Sequence, residues 1–360
     1  MKKKILLLLP FCLLLLAAVW GLAAGDAGDP LVSLSYLEGT FTDAVNSRVD
    51  QKLDASDAAL LSGAELSVPS GDTSSWAESR LKQADALMGP TGVSVMLLAG
   101  QGQVAYDSGA VIDATDGKAV PSGTALQANH RYIVAEDTAA TFTVTSKTAV
   151  VDHQGGTFMY SGATDYNAMA AALKTMHLFK GSFTGYGQGF DLEAAPTRLQ
   201  ALIMFIRVLG EEEQALDWTG TTPFTDIQKG SQAEKYVGYA YSMGYTNGYS
   251  ATQFKPAGAV NARQYTEFVL RAMGYSSSAN TDLSDTLLRA QNAGVLTSGE
   301  VEMLQRDPFL RAELVYISYY ALDAWMPDGS RTLGDHLQDK GVFTSREREE
   351  ARNMVTGWRL

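Results

Sequence analysis

From residue 164 onward the apolar positions return every three or four residues in stretches closed by glycine, the period of helices packed on one face. Between residues 93 and 160 the same residue types come in short blocks instead: VSVMLLA, QVAYD, AVID, RYIVA, ATFTVTS, TAVVD and TFMY. Glycine, asparagine or aspartate separates most of these blocks, so residues 91–163 read as a small antiparallel β-rich domain, a sandwich or barrel. Within it, Gly100 and Gly102 read as a hairpin turn, because no helix or third glycine follows to make a dinucleotide loop. Asp113, Asp116 and Gly117 likewise read as a turn, since the longer alternating carboxylate series of a calcium loop is missing. Residues 25–90 read as a helical segment. One helix carries Val45, Val49, Leu53 and Leu60, and a second is expected over about Trp76 to Met88, opened by Ser75 with Glu78 three residues on and closed by Gly89-Pro90.

The helical half repeats itself. In its clearest unit, Phe224 to Gly274, an Asp-bearing turn (Thr225, Asp226) leads into a helix with Tyr236, Val237, Ala240, Tyr241 and Met243 on one side. Gly244 closes it. A loop with Gly248, Phe254 and Pro256 then reaches Asn261, which caps a second helix with Gln264 completing a capping box, and Gly274 ends that helix. Phe190, Phe254 and Met303 each stand seven residues before Thr197, Asn261 and Leu310, the three positions that precede a second helix. Arg207 and Arg271 each follow the cap by ten residues, and Lys180-Gly181 matches Asn247-Gly248. The third copy has Thr297-Ser298 at that place and continues helically through Glu300 to Leu304; Asp307-Pro308 is expected to start its second helix. The copies cover about residues 164–210, 224–274 and 283–322, and a tail over 326–360 ends in a charged helix from about Ser345 to Val355.

Three such units in a row resemble the S-layer homology (SLH) domain over about residues 164–325. The likeness is carried by the entries Phe224-Thr225-Asp226 and Leu283-Ser284-Asp285, the GYTNGY loop, Phe254-Lys255-Pro256 and the helix openings. Members usually read TRAE at that opening. This chain has Thr197-Arg198-Leu199-Gln200, Asn261-Ala262-Arg263-Gln264 and Leu310-Arg311-Ala312-Glu313. The resemblance implies an α+β multidomain chain, with the small antiparallel β domain followed by an all-α tandem-repeat three-pronged helical bundle. It also implies non-covalent anchoring of an exported protein by binding acidic, typically pyruvylated, cell-wall polysaccharide. Arg198 and Arg311 match the family's arginine and are the implied ligand residues, a planar donor fork at a helix N-terminus being suited to a carboxylate. Arg263 sits one position late, about a hundred degrees around the helix, and is the weaker candidate. Asn247, Gly248 and Gly181 are expected to bring loop backbone close to the sugar, whereas Tyr245 and Tyr249 read as exposed loop tyrosines rather than as stacking platforms.

Composition narrows the setting. Met1 to Ala24 has the form of an export signal: three lysines, an apolar run and small residues before the cleavage region. The single cysteine, Cys12, lies inside it, so the mature chain is expected to hold neither thiols nor disulfides and, once cleaved, no membrane segment. Without the head lysines the formal balance is 25 minus 40, or −15, which excludes a nucleic-acid binder and leaves an acidic ligand to local arginines. No catalytic or metal constellation is present: His130, His153, His177 and His336 are scattered without metal-ligand spacing, and no nucleophile elbow or P-loop occurs. No enzyme activity and no cofactor are expected. A second reading makes the protein a structural or assembly subunit of the cell envelope, its β-rich region contacting envelope proteins and its repeats no longer binding glycan.

Overall fold

The computed structural model describes residues 47–48 and 75–360, apart from 182–188, 279–281 and 357–358. The export signal and most of the helix expected before residue 63 lie outside the described residues, although Ser47 and Arg48 are helical. The chain divides into two units, Met1–Pro69 and Ser70–Leu360, and the second holds everything that follows.

Ten strands form the first part of that unit: β1 Ala77–Lys82, β2 Ala86–Gly89, β3 Ser94–Ala99, β4 Gly102–Tyr106, β5 Val111–Asp113, β6 Lys118–Val120, β7 Arg131–Val134, β8 Ala140–Val144, β9 Thr148–Gln154 and β10 Thr157–Met159. They make two sheets, in the orders β1-β9-β3-β7-β5-β6 and β10-β2-β8-β4, and the recorded pairings are all antiparallel. Alternation drives the layering. In β8 the residues Ala140, Phe142 and Val144 are buried while Thr141 and Thr143 face outward. Leu81, Val95, Leu97 and Val151 of one sheet share a core with Leu87, Val104 and Phe142 of the other, so the β region is a sandwich.

Two expectations are corrected here. The segment expected as a helix over Trp76 to Met88 is β1 and β2. The capping pair Ser75 and Glu78 is overruled by pairing: β1 runs beside β9 from Ala77↔His153 to Lys82↔Thr148, and Ala84 at φ 63° breaks the chain before β2. The Gly100–Gly102 turn is not a hairpin. β3 pairs with β7 and β9, whereas β4 pairs with β8, so the turn carries the chain between sheets. Gly100 is required there because a Cβ would lie 2.4 Å from the Thr148 carbonyl oxygen. The Asp113–Gly117 segment is the turn between β5 and β6, as its residues indicate, but His130 is not scattered from it: its Nδ1 meets Asp113 Oδ2 at 2.8 Å, and Asp113, Asp116 and His130 form one cluster.

Ten helices follow among the described residues: α1 Tyr166–Thr175, α2 Arg198–Val208, α3 Glu212–Asp217, α4 Gln232–Ser242, α5 Ala262–Ala272, α6 Thr286–Asn292, α7 Ser298–Arg306, α8 Arg311–Ala321, α9 Leu333–Asp339 and α10 Ser345–Met354. The caps read from the sequence form. Thr197 and Asn261 each accept from the N–H of a glutamine three residues on, whose side chain accepts from the capping backbone in return. Asp307-Pro308, by contrast, does not open a helix. α8 begins at Arg311, and Glu313 reaches back to accept from the Leu310 N–H at 2.7 Å.

Helices α2, α5 and α8 meet one another. Their first turns are tied to each other's approach loops. The N–H groups of Arg198 and Leu199 donate to the carbonyls of Gly258 and Pro256, and those of Arg311 and Ala312 to the carbonyls of Ala194 and Leu192. Backbone donors that a lone helix leaves unpaired are satisfied in this way. Phe205, Phe254, Tyr265 and Tyr316 fill the shared core, each worth about 1.5–3 kcal/mol of burial, and the Tyr265 hydroxyl meets Ser318 Oγ at 2.6 Å. Helices α3 and α9 are additions that the repeat pattern did not announce. α10 packs on α1, so the tail closes the bundle on itself.

The β sandwich is joined to the helices by charge as well as packing. Lys147, just before β9, holds Asp307 at 2.8 Å and is hydrogen-bonded to Glu313, whose side chain is 1% exposed.

Candidate functional site

The crevice between the start of α2 and the face of α5 has a volume of about 500 Å³ and is lined by Arg198, Asn247, Gly248, Gln264, Glu267 and Arg271, among others. Arg198 is placed by the cap at Thr197, which starts α2 one residue earlier. The residue is only 8% exposed. Nη2 donates to the Gly248 carbonyl at 3.2 Å, the guanidinium lies over Phe254 and Phe268, and Nε has no hydrogen-bond partner among the described residues. Burial lowers the pKa of Arg198, and the nearby charge of Arg271 lowers it further. A cation held against its own desolvation and a like charge gains most from an incoming anion.

Glu267 does not supply that anion. Its carboxylate already accepts from Arg271 Nε, Arg289 Nη1, the Thr286 hydroxyl and the Ser278 N–H. Burial pushes this acid up, but those donors outweigh it and hold the pKa below the usual range. The crevice thus keeps positive charge to spare.

The loop that forms the opposite wall is shaped by glycine. Gly248 has φ 78°, and a Cβ there would fall 2.3 Å from the Phe224 ring and 2.7 Å from the Ser250 carbonyl oxygen. Asp226 fixes the same loop by accepting from the N–H groups of Phe254 and Lys255.

Of the six candidate residues, Arg198, Asn247 and Gly248 come together in this crevice. Arg311 and Gly181 belong to another place. Arg311 Nε donates to the Phe190 carbonyl at 3.1 Å with its guanidinium over Phe179, and Gly181 abuts Gly189, where a Cβ would lie 2.7 Å from the carbonyl oxygen. Residues 182–188, between these two, lie outside the described residues. Burial lowers the pKa of Arg311 as it does that of Arg198. Arg263 is separate from both, in a shallow depression with Asn261, Leu287, Leu304 and Gln305. Tyr245 is corrected: it stands inward, its hydroxyl donating to Glu211 at 2.8 Å, and is not a wall of the crevice. Tyr249 is exposed and carries the Lys255 ammonium 3.5 Å from its ring centroid. Gln264, Glu267 and Arg271 were missed as site residues. Their signal was the i, i+3, i+7 spacing that sets them on one stripe of α5.

A comparison with curated proteins finds no match. Among solved structures, the chain shows a partial likeness to procruciferin, an 11S globulin from Brassica napus, at 10% identity and a TM-score of 0.16, covering 24% of this chain and 22% of that one. A recombinant pro-11S globulin of pumpkin matches at 9% identity and a TM-score of 0.15, covering 28% of each chain. The chain spans under a third of these proteins, and likenesses of this size carry no argument about fold or function. The family comparison is specific: residues 223–261, which run from the Phe224 entry through the Gly248 loop to the cap of α5, match the S-layer homology domain, and the chain contains one such domain there.

Proposed function

We propose that this chain holds an exported protein at the bacterial cell wall by non-covalent binding of acidic, pyruvylated-type secondary cell-wall polysaccharide, and that the Arg198 crevice is where the acid sits. The observation that supports it is the convergence of a buried, under-partnered arginine with the glycine loop of the S-layer homology segment. A carboxylate at the mouth of the crevice would meet the guanidinium of Arg198 with Arg271 beside it, while the exposed amide of Asn247 is suited to sugar hydroxyls. Arg311 would do the same in the neighbouring unit. Among the described residues no helix is long and apolar enough to cross a membrane, so the wall contact carries the attachment in this reading. The protein needs no catalytic group for that role, and we assign it none.

Retention of the chain on purified sacculi, before and after removal of the secondary polysaccharide, tests this. Retention that disappears with the polysaccharide, and that falls when Arg198 and Arg311 are changed to Ala, is the expected result. Absence of retention on intact sacculi would overturn the anchoring reading and leave the envelope-subunit alternative.

A further inference from the structure

The third unit departs from the other two in one chemical respect. Ten residues after the caps of α2 and α5 stand Arg207 and Arg271, whereas the corresponding residue of α8 is Tyr320. A cation is nonetheless found on this wall. Arg359, 39 positions on from Tyr320 in the sequence, lies with its guanidinium 4.8 Å from the Tyr320 ring centroid. Its Nε donates to Glu300 at 2.7 Å, and Nη2 donates to the second Glu300 oxygen at 2.9 Å and to the Val295 carbonyl at 2.8 Å.

Glu300 is the reason this matters. Its side chain is 0% exposed. Capping of α7 explains one contact, the Thr297 N–H to Oε2, and the Tyr316 hydroxyl adds another to Oε1 at 3.0 Å. Neither neutralises the charge, and a capping glutamate ordinarily sits in water. A fully buried carboxylate demands a cation, and the fork of Arg359 meets both of its oxygens. The backbone next to Arg359 is clasped as well: the Leu360 N–H donates to the Tyr316 hydroxyl, and its carbonyl accepts from the Thr297 hydroxyl. Burial would lower the pKa of Arg359, but Glu300 outweighs it and holds it above the ordinary value.

We propose that the crevice of Val295, Glu300, Tyr316 and Tyr320 is a guanidinium-binding site whose resident ligand is Arg359 of the same chain. In the Arg198 crevice two arginines serve the one buried acid, whereas here the buried acid takes its charge partner from Arg359, so the site selects a cation and rejects an anionic sugar. This stands whether or not the wall-glycan reading holds.

The test uses the chain with Arg359→Ala. Its thermal midpoint should fall by several degrees, and L-argininamide at millimolar concentration should restore most of that fall, with potassium chloride at equal ionic strength having no such effect. The wild-type midpoint and that of Arg359→Ala combined with Glu300→Gln should not respond to argininamide. An unchanged midpoint in Arg359→Ala, or an equal response of all three proteins to argininamide, overturns the proposal. Should Arg359→Ala not fold, side-chain NMR of the wild-type protein decides: a protected Arg359 Nε–H signal that moves in Glu300→Gln supports the site, and a signal that exchanges like those of exposed arginines overturns it.

Discussion

The guanidinium of Arg198, in the first turn of α2, is hydrogen-bonded to the carbonyl of Gly248 fifty residues away. One helix start and the loop of the next unit therefore form a single wall. Changing Arg198 to Ala is expected to reduce retention on sacculi about tenfold, the scale of one lost charge-assisted contact. Lysine at this position should recover less than half of that, because an ammonium lacks the rigid planar fork that sets one donor on the Gly248 carbonyl and others toward a carboxylate. Co-sedimentation titrations with sacculi measure both.

Gly248 carries a separate prediction. Alanine there meets the Phe224 ring and a backbone carbonyl at a positive φ, so Gly248→Ala should destabilise the fold by about 1–3 kcal/mol, read from urea denaturation. Gly117 also has a positive φ but faces open space, and alanine at that turn should cost less.

Glu267 gathers Arg271 and Arg289 on a side chain 2% exposed. Glu267→Gln leaves two arginines facing an amide and is expected to cost about 3–5 kcal/mol. The urea midpoint should show it.

Stability should also fall in acid. Glu212 resists its own burial through Lys180, Tyr236 and Arg207, which bring its pKa from 4.5 to about 2. The folded pKa is the depressed one, so the contribution is complete above the ordinary carboxylate range and is lost as pH falls from about 4.5 to about 2. Glu267, shifted in the same direction, adds to the trend. Denaturation midpoints measured from pH 6 to pH 2 should decline, and Glu212→Gln should flatten the decline.

Lys147 stands between two carboxylates of the helical body, and Lys147→Met would leave Glu313 buried without its cation. The expected cost is about 3 kcal/mol. Calorimetry should show the loss as a lowered midpoint.

Local chemistry was legible where a short stretch decides its own structure. Thr197 with Gln200 and Asn261 with Gln264 are self-contained caps, and the Thr-Phe-Thr alternation of β8 needs only one covered face. Ser75 with Glu78 has the same grammar and misleads, because the winning term is a ladder to β9 some seventy residues later. At the candidate crevice, Arg198 and the glycine loop could be named from motif and spacing. The inward turn of Tyr245 could not, since its partner Glu211 lies in a connection between units. Nor could Arg359, which belongs to no repeat and finds Glu300 only after the bundle closes.

The register of β1 against β9 has a mechanical meaning. Ala77, where the described chain enters the sandwich, pairs with His153 near the end of β9 that leads into β10. When the sandwich is held and the segment ahead of Trp76 is pulled back past His153, β1 is loaded at one end of its ladder. The bonds then open one after another, as in a zipper, and are not sheared together. The sandwich would yield from this edge at low tension, lengthening the chain between a pulled N-terminal segment and the strands that stay in place.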